Sequence, residues 1–137
     1  SYTCRRRLLH RDPWWLCYDR VAADSRSNVR SRIHFHPEVR LDERDGGLVA
    51  TKRDSAATLW LYLLKGSNLR LTESPYFPRF GEVVDRPAAT VKSTGRDVTL
   101  AYLLTREPLS DVGLETSGDR TTVRVDGDRF PLPETRF

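Results

Sequence analysis

The chain has 137 residues, with 23 basic and 19 acidic side chains and a formal net charge of +4 at pH 7. Such a length predicts one domain with a core of its own, and the interleaved charges are those of an ordinary hydrated surface rather than of a nucleic-acid module. No apolar run approaches the length of a membrane span. We therefore expect neither a nucleic acid nor a membrane as a partner.

Short alternating stretches of polar and apolar residues run along the chain and are broken at near-regular intervals by turn residues. Runs with a period of two, spaced roughly 8–12 residues apart, are typical of an antiparallel sandwich or barrel. We therefore predict an all-β fold, an antiparallel β-sandwich of two packed sheets. The predicted strands cover residues 2–10, 14–22, 30–36, 38–44, 48–53, 57–64, 69–73, 80–85, 88–93, 97–105, 112–116, 121–125 and 129–132.

Turn residues between these runs predict hairpins. Asp45-Gly46-Gly47 supplies glycines for a hairpin turn, and Asp126-Gly127 is the strongest such signal in the chain. Ser93-Thr94-Gly95 predicts a further hairpin. Residues 57–64 are apolar on both faces, which indicates a central strand. Helical periodicity is weak everywhere, and only residues 106–112 could form a helical turn.

Three features of the first strands allow more than one interpretation. Two cysteines, Cys4 and Cys17, make no disulfide framework, so we predict two free thiols packed as small apolar groups. The adjacent Trp14 and Trp15 point to opposite faces of their strand, which predicts one ring in the core and the other at an edge or against a partner domain. The triplet Arg5-Arg6-Arg7 is expected to form a hydrated edge strand.

The cleanest alternation places Arg30, Arg32, His34 and His36 on one face of a predicted strand. This basic stripe suits an anionic ligand, and these four residues are our candidate substrate-binding residues. The alternative is a hydrated face that binds nothing. The two histidines could supply two metal ligands, but a site needs a third and usually a fourth, so we predict no metal. No motif predicts a cofactor or a catalytic residue.

The basic residues are unusual in kind, because 20 of the 23 are arginine. A guanidinium group binds carboxylates and sulfates through two parallel hydrogen bonds, although a GC-rich genome would give the same bias. The chain begins at Ser1 and contains no methionine, whereas an intact gene product begins with methionine or a signal peptide. We therefore expect residues 1–137 to be a single β-sandwich domain from a larger protein.

Four segments, taken in order, resemble the C-terminal β-sandwich region of the heparinase II/III-like polysaccharide lyases. The likeness covers residues 2–105. Its motifs are Arg5-Arg6-Arg7-Leu8-Leu9, Trp14-Trp15-Leu16-Cys17-Tyr18-Asp19-Arg20, Ile33-His34-Phe35-His36-Pro37 and Phe80-Gly81-Glu82-Val83-Val84-Asp85-Arg86-Pro87.

This resemblance implies a function. Such lyases cleave uronate-containing, anionic polysaccharides by β-elimination: a base removes the proton α to the carboxylate, the carboxylate charge is neutralised and the leaving oxygen is protonated. The family places most of that machinery in an N-terminal helical toroid. The resemblance therefore implies an accessory domain with that toroid and an anionic polysaccharide as partners, no catalytic residue of its own and no activity alone. The alternative is a free-standing carbohydrate-binding β-sandwich module.

Overall fold

In the computed structural model, which describes residues 1–44 and 46–133, every regular element is a β-strand and every pairing is antiparallel. No helix that could span a membrane occurs in these residues. The strands are β1 (Tyr2–Arg11), β2 (Trp14–His34), β3 (Val39–Arg44), β4 (Gly47–Lys52), β5 (Thr58–Lys65), β6 (Ser67–Tyr76), β7 (Val84–Thr105), β8 (Val112–Ser117), β9 (Arg120–Val125) and β10 (Asp128–Pro131).

The chain divides into two compact units, a first of residues Ser1–Glu107 and a second that begins at Pro108. The first unit holds a seven-stranded sheet with the order β1-β2-β7-β5-β4-β3, and β6 pairs with β7 in addition. The second unit holds a three-stranded sheet with the order β10-β9-β8. That residues 1–137 form one single domain stays a prediction.

The seven-stranded sheet has two parts because β2 and β7 are 21 and 22 residues long and change register along their length. Residues 14–22 pair with 97–105, and after the register shift residues 27–34 pair with 88–95. β5 joins the former pair of segments, and β6 joins the latter. We name the part with β1, β3, β4 and β5 the first layer, and the part with β6 the second layer.

Apolar side chains of the two layers pack against each other to form the core of the first unit. One cluster joins Ala89, Ile33 and Leu69 of the second layer to Cys17, Leu48, Leu61 and Tyr102 of the first. Another joins Val91 of the second layer to Val98 and Leu100 of the first. Side chains on the inner faces of two facing layers are what defines a sandwich. The predicted all-β antiparallel sandwich is therefore confirmed.

The chain passes from the first layer to the second at Gly66, between β5 and β6. Its φ is +130°, and a Cβ at this position would lie 2.7 Å from Val91 Cγ1 and 3.0 Å from Leu100 Cδ2. Neither distance leaves room for a methyl group in a close-packed core. Only glycine allows the backbone to cross directly over the core here.

In the second unit, the predicted turn at Asp126-Gly127 joins β9 to β10, with φ angles of +45° and +89° at its two residues. Positive φ at both central positions is the geometry of the favoured two-residue hairpin turn. Asp126 Oδ1 also accepts hydrogen bonds from the backbone nitrogens of Ser110 and Asp111, at 2.9 and 2.8 Å. These bonds hold the pKa of Asp126 below its usual range. This predicted hairpin is confirmed.

Two predicted breaks lie inside continuous strands. The predicted strands 14–22 and 30–36 both belong to β2, and 88–93 and 97–105 both belong to β7. The hairpin predicted at Ser93-Thr94-Gly95 is therefore wrong. Glycine inside a strand marks a bend or bulge as readily as a turn. Here the β7 residues that belong to the core clusters change from odd numbers before the bend to even numbers after it.

Other local predictions had mixed outcomes. The strand predicted at 80–85 is wrong for most of its length, since β7 begins only at Val84. Residues 106–112 form no helical turn. The strand predicted at 57–64 is central, because β5 pairs with both β4 and β7. β3 and β4 form the predicted hairpin, and Asp45 of its turn lies outside the described residues.

Candidate functional site

The predicted basic stripe lies on the outward side of the second layer. Arg30, Arg32 and His34 are exposed, whereas Ser31 is buried and Ile33 packs against the core. Side chains of a strand alternate between its two sides, so this pattern confirms the predicted alternation over β2.

Pairing with β7 and β6 brings further cations to the same side. Lys92 lies opposite Arg30, and Arg70 lies opposite Thr90, which in turn pairs with Arg32. We name this outward surface of the second layer the basic face. Its charged and ionisable side chains are Arg30, Arg32, Arg70, Arg86, Lys92, His34 and His36.

No carboxylate occupies an outward position on these three strand segments within the described residues. The segments contain two acidic residues, Glu73 and Asp85. Both lie at odd-numbered positions, whereas the outward positions are even-numbered, so neither belongs to the outward side. A carboxylate reaches only the margin, where Glu38 Oε2 lies 3.8 Å from His36 Nδ1. Five permanently charged cations without an acid between them give a positive local potential.

Small side chains form the middle of the basic face. Ala88 and Thr90 of β7 are 0% and 3% exposed although they lie on the outward side. The Oγ1 atoms of Thr72 and Thr90 lie 3.1 Å apart, within hydrogen-bond distance. Longer side chains of β2 and β6 stand on either side of this central row. We call this low middle of the face the trough: Arg30 and Arg32 of β2 and Arg70 of β6 flank it, while Lys92 and Arg86 of β7 stand at its two ends.

His36 lies just beyond β2 at one end of the trough. The backbone nitrogen of Phe35 donates to Pro87 O at 3.0 Å, which extends the β2–β7 register to this point. His36 Nδ1 accepts a hydrogen bond from the Glu38 backbone nitrogen at 3.2 Å, so the neutral ring carries its proton on Nε2. Its ring meets Tyr76 edge-on at 6.0 Å. Among the described residues, no group of three metal-binding side chains exists here or elsewhere.

A tyrosine–arginine contact completes this end of the basic face. Arg86 Cζ lies 5.4 Å from the centre of the Tyr76 ring. Its Nε is buried and has no hydrogen-bond partner within the described part of the chain. A guanidinium packed on an aromatic ring is held in place while its terminal nitrogens can still donate to an anion. The structure therefore supports Arg86 as a member of the basic face.

Sequence analysis found the side chains that β2 contributes to the basic face and missed those of β6 and β7. Arg30, Arg32, His34 and His36 follow one another along a single strand, so their alternation is visible without any fold. Arg70, Arg86 and Lys92 reach the same surface only through strand pairing. Arg30 and Lys92 are far apart in the chain, and the periodicity of a sequence does not show which strands pair. That the predicted residues bind a substrate stays a prediction.

Arg6, the middle residue of the triplet Arg5-Arg6-Arg7, belongs to a buried polar cluster and not to a hydrated edge. Arg6 Nε and Nη2 each donate to one oxygen of Asp19 at 2.7 Å. This carboxylate side chain is only 7% exposed. Its hydrogen bond raises the pKa of Arg6 further above its ordinary value. The expectation of a hydrated strand is therefore wrong for Arg6.

Two further ionisable groups adjoin this cluster. Cys17 Sγ lies 4.0 Å from Asp19 Oδ1. Burial raises the pKa of the Cys17 thiol and of the Tyr102 phenol. Both groups are therefore neutral at pH 7. A buried neutral thiol is a poor nucleophile.

The two cysteines are free, as predicted. Cys4 pairs with Val21, whereas Cys17 pairs with Leu8. Four residues of strand separate these positions by about 13 Å, too far for a disulfide. Cys17 is buried, but Cys4 is exposed, so the expectation that both thiols are packed apolar groups is wrong for Cys4.

The tryptophan pair follows the prediction. Trp14 is 3% exposed and Trp15 is 38% exposed. The His10 ring stacks on Trp15 with a centroid distance of 4.8 Å and an angle of 11° between the planes. Arg106 Cζ lies 5.9 Å from the same ring. One ring is therefore buried and the other is partly exposed near the start of β2, in a stack of side chains, although β2 itself is not an edge strand.

Comparisons with solved structures identify the same architecture in two enzymes. A heparinase III superposes with a TM-score of 0.67 at 13% identity, over 96% of this chain and 23% of that chain. The heparan sulfate lyase HepC of Pedobacter heparinus superposes with a TM-score of 0.63 at 12% identity, over 88% of this chain and 22% of that chain. This chain thus spans less than a quarter of either enzyme.

Comparison with protein families gives a more specific result. Among curated protein sequences none matches the chain at a significant level. Residues 1–126 match the family described as heparinase II/III-like, C-terminal. This match covers the whole first unit and β8 and β9, more of the chain than the motifs recognised in the sequence. The chain belongs to the heparinase II/III-like C-terminal family.

Proposed function

We propose that this chain is the accessory β-sandwich of a lyase that cleaves an anionic, uronate-containing polysaccharide by β-elimination. The observation that carries the proposal is the basic face: five cations around a hydroxyl-lined trough, with no carboxylate between them. A polyanion laid along the trough would place its carboxylates or sulfates first against Arg30 and Lys92, which share one row, and then against Arg32 and Arg70 on the next row. The solved relatives are, by name, a heparinase III and a heparan sulfate lyase, which agrees with such a ligand.

In this proposal the basic face binds and orients the polysaccharide, and the chemistry is carried out elsewhere. β-Elimination needs a base, a group that neutralises the uronate carboxylate and an acid for the leaving oxygen. The proposed partner that supplies them is the N-terminal helical toroid of the same protein. We therefore expect this chain alone to release no unsaturated uronate from heparin, heparan sulfate or alginate. Product formation abolished by a substitution within residues 1–133 would contradict this.

Binding tests the proposal directly. The chain should bind a sulfated or uronate oligosaccharide at low salt, and the affinity should fall as salt is added, because exposed charges are screened beyond about 8 Å at physiological ionic strength. Arg32→Ala combined with Arg70→Ala should weaken binding at least about tenfold, or 1.4 kcal/mol.

The matched control removes the same charge elsewhere. Arg96 and Arg120 are exposed and lie outside the basic face, so Arg96→Ala combined with Arg120→Ala should leave most of the affinity intact. The proposal fails if the unaltered chain shows no binding at low salt, or if both double variants bind equally well. An adjacent coding region for paired helices would favour the lyase over the alternative, a free-standing carbohydrate-binding module.

A further inference from the structure

The loop between β6 and β7, residues 77–83, exposes large apolar side chains at one end of the second layer. Phe80 is fully exposed, Phe77 is 66% exposed and Val83 is 60% exposed. Val84, the first residue of β7, is exposed as well. Single apolar residues are normal on a protein surface, but several in one short segment mark a surface that another body covers. We name residues 77–83 the apolar loop.

The tip of the apolar loop is a hydrogen-bonded turn. Glu82 N donates to Arg79 O at 3.1 Å, which closes a four-residue turn with Phe80 in its second position. Gly81, in the third position, has a φ of +80°, and a positive φ there is the reason why such turns use glycine. The loop therefore presents Phe80 on a folded backbone, which lowers the cost of ordering it against another body.

The apolar loop adjoins one end of the basic face and not the other. On β7 the outward positions run from Lys92 to Arg86 and then to Val84, where the loop ends. On β6 they end at Tyr76, whose ring contacts Arg86. Beyond Lys92, by contrast, residues 93–97 are Ser, Thr, Gly, Arg and Asp. One end of the basic face is therefore apolar and the other is polar.

The charges next to the exposed rings favour a protein partner over a lipid surface. Arg79 and Arg86 are matched in number by Glu82 and Asp85, so residues 77–86 carry no net charge. A segment that binds an anionic membrane has a cluster of lysines and arginines without such acids. Exposed aromatic rings with a mixed polar rim are typical of the side chains that fill a pocket on a partner protein.

The solved relatives indicate which protein this partner is. The superposed sandwich is less than a quarter of either enzyme, so most of each chain lies outside it. In the proposed function, a polysaccharide bound along the trough must also reach catalytic groups that this chain does not supply. A body that covers the apolar loop lies in line with the trough, at the end that Arg86 marks, and is therefore placed to receive the same polysaccharide.

We propose that the apolar loop is the surface through which this domain contacts the catalytic part of the same enzyme, with Phe80 inserted in an apolar pocket of that part. The inference rests on the proposed function and adds a direction to it. The polysaccharide passes from the trough to the catalytic groups at the Arg86 end and not at the Lys92 end.

Photochemical crosslinking in the full-length protein tests this contact. The photoreactive residue p-benzoylphenylalanine replaces Phe80 in one variant and Phe77 in a second. In the control variant it replaces Arg96, which is exposed and lies beyond the Lys92 end of the basic face. Mass spectrometry after irradiation and proteolysis identifies the crosslinked peptides. We expect crosslinks from positions 80 and 77 to the part of the chain outside residues 1–137, and none from position 96.

Serine variants separate this contact from polysaccharide binding. Phe77→Ser combined with Phe80→Ser should lower kcat/KM of the full-length protein on a uronate polysaccharide at least tenfold. In the 137-residue chain the same pair should leave the affinity for a uronate oligosaccharide within twofold, because both rings lie outside the basic face. Both are exposed, so the circular dichroism spectrum should not change.

The proposal is overturned if neither position 80 nor position 77 crosslinks to the rest of the chain, if they crosslink only to a second copy, or if position 96 crosslinks to the rest of the chain instead. An unchanged kcat/KM in the serine variant overturns it too. So does co-sedimentation of the full-length protein with phosphatidylserine vesicles that the serine variant loses. Failure of the proposed function would instead appear as an unaltered chain that does not bind the oligosaccharide, and the crosslinks report the contact independently of that binding.

Discussion

Replacement of Arg6 by methionine should destabilise the first unit, because it leaves the Asp19 carboxylate buried without its partner. The carboxylate side chain is 7% exposed and the Arg6 side chain 53% exposed. Breaking a fully buried pair costs about 3–5 kcal/mol. Since water reaches the outer part of Arg6, we expect a smaller loss, roughly 2 kcal/mol. Urea denaturation followed by circular dichroism measures the free energy of unfolding.

A double-mutant cycle separates the ion pair from the packing of the arginine stem. Asp19→Asn removes the charge at the other end, and Arg6→Met combined with Asp19→Asn should be less destabilised than the sum of the single variants by at least about 1 kcal/mol. Arg11→Met, an exposed arginine on the same strand, controls for loss of charge. Additive costs, or an Arg6→Met variant as stable as Arg11→Met, would refute the assignment of Arg6 and Asp19 as a stabilising buried pair.

Three further predictions follow from the packing and the charges. Gly66→Ala should lower the free energy of unfolding, measured by urea denaturation, by roughly 3 kcal/mol, because overpacking and backbone strain act together. The control Gly81→Ala has a φ of +80° but open space around the Cβ, and it should cost about 1 kcal/mol. Equal losses in the two variants would contradict the clash at Gly66. Iodoacetamide should modify Cys4 in the folded chain, and it should modify Cys17 only after unfolding. Rapid modification of both cysteines in the native protein would show that the core is open. The Arg20 guanidinium holds the pKa of Asp97 below its usual range. The stability that this pair adds is therefore present above about pH 3.9 and is lost as the pH falls further. The Asp97→Asn variant should lose less stability between pH 7 and pH 3 than the unaltered chain, and an equal loss would argue against the pair.

The strands themselves could be predicted from the sequence because each carries its own signal. In residues 30–33 the charged side chains are exposed and the side chains between them are buried or partly buried, a pattern that directly predicts a strand with one hydrated side. The turn at Asp126-Gly127 could be predicted for a similar reason, since its residues tolerate positive φ. Both signals are local, so they need no knowledge of what lies across the sheet.

The bend of β2 and β7 could not be predicted, because a bend inside a long strand and a turn between two short strands use the same residues. Gly95 lies within β7, but its neighbours read as a turn. The consequence reaches the candidate site. A hairpin at Gly95 would pair 88–93 with 97–105, whereas in the structure residues 88–95 pair with β2 and bring Lys92 beside Arg30.

The arginines of the basic face are accessible because the core of the first unit lies against the inward side of the second layer, while Arg30, Arg32 and Arg70 on the outward side stay exposed. In the second layer, Ala88 and Thr90 keep the central row low, so the arginines on either side can converge on one elongated ligand. The first layer differs, because Trp14, Leu16 and Leu103 on its outward side are buried as well. The strand alternation of the second layer thus favours a polyanion laid along the basic face.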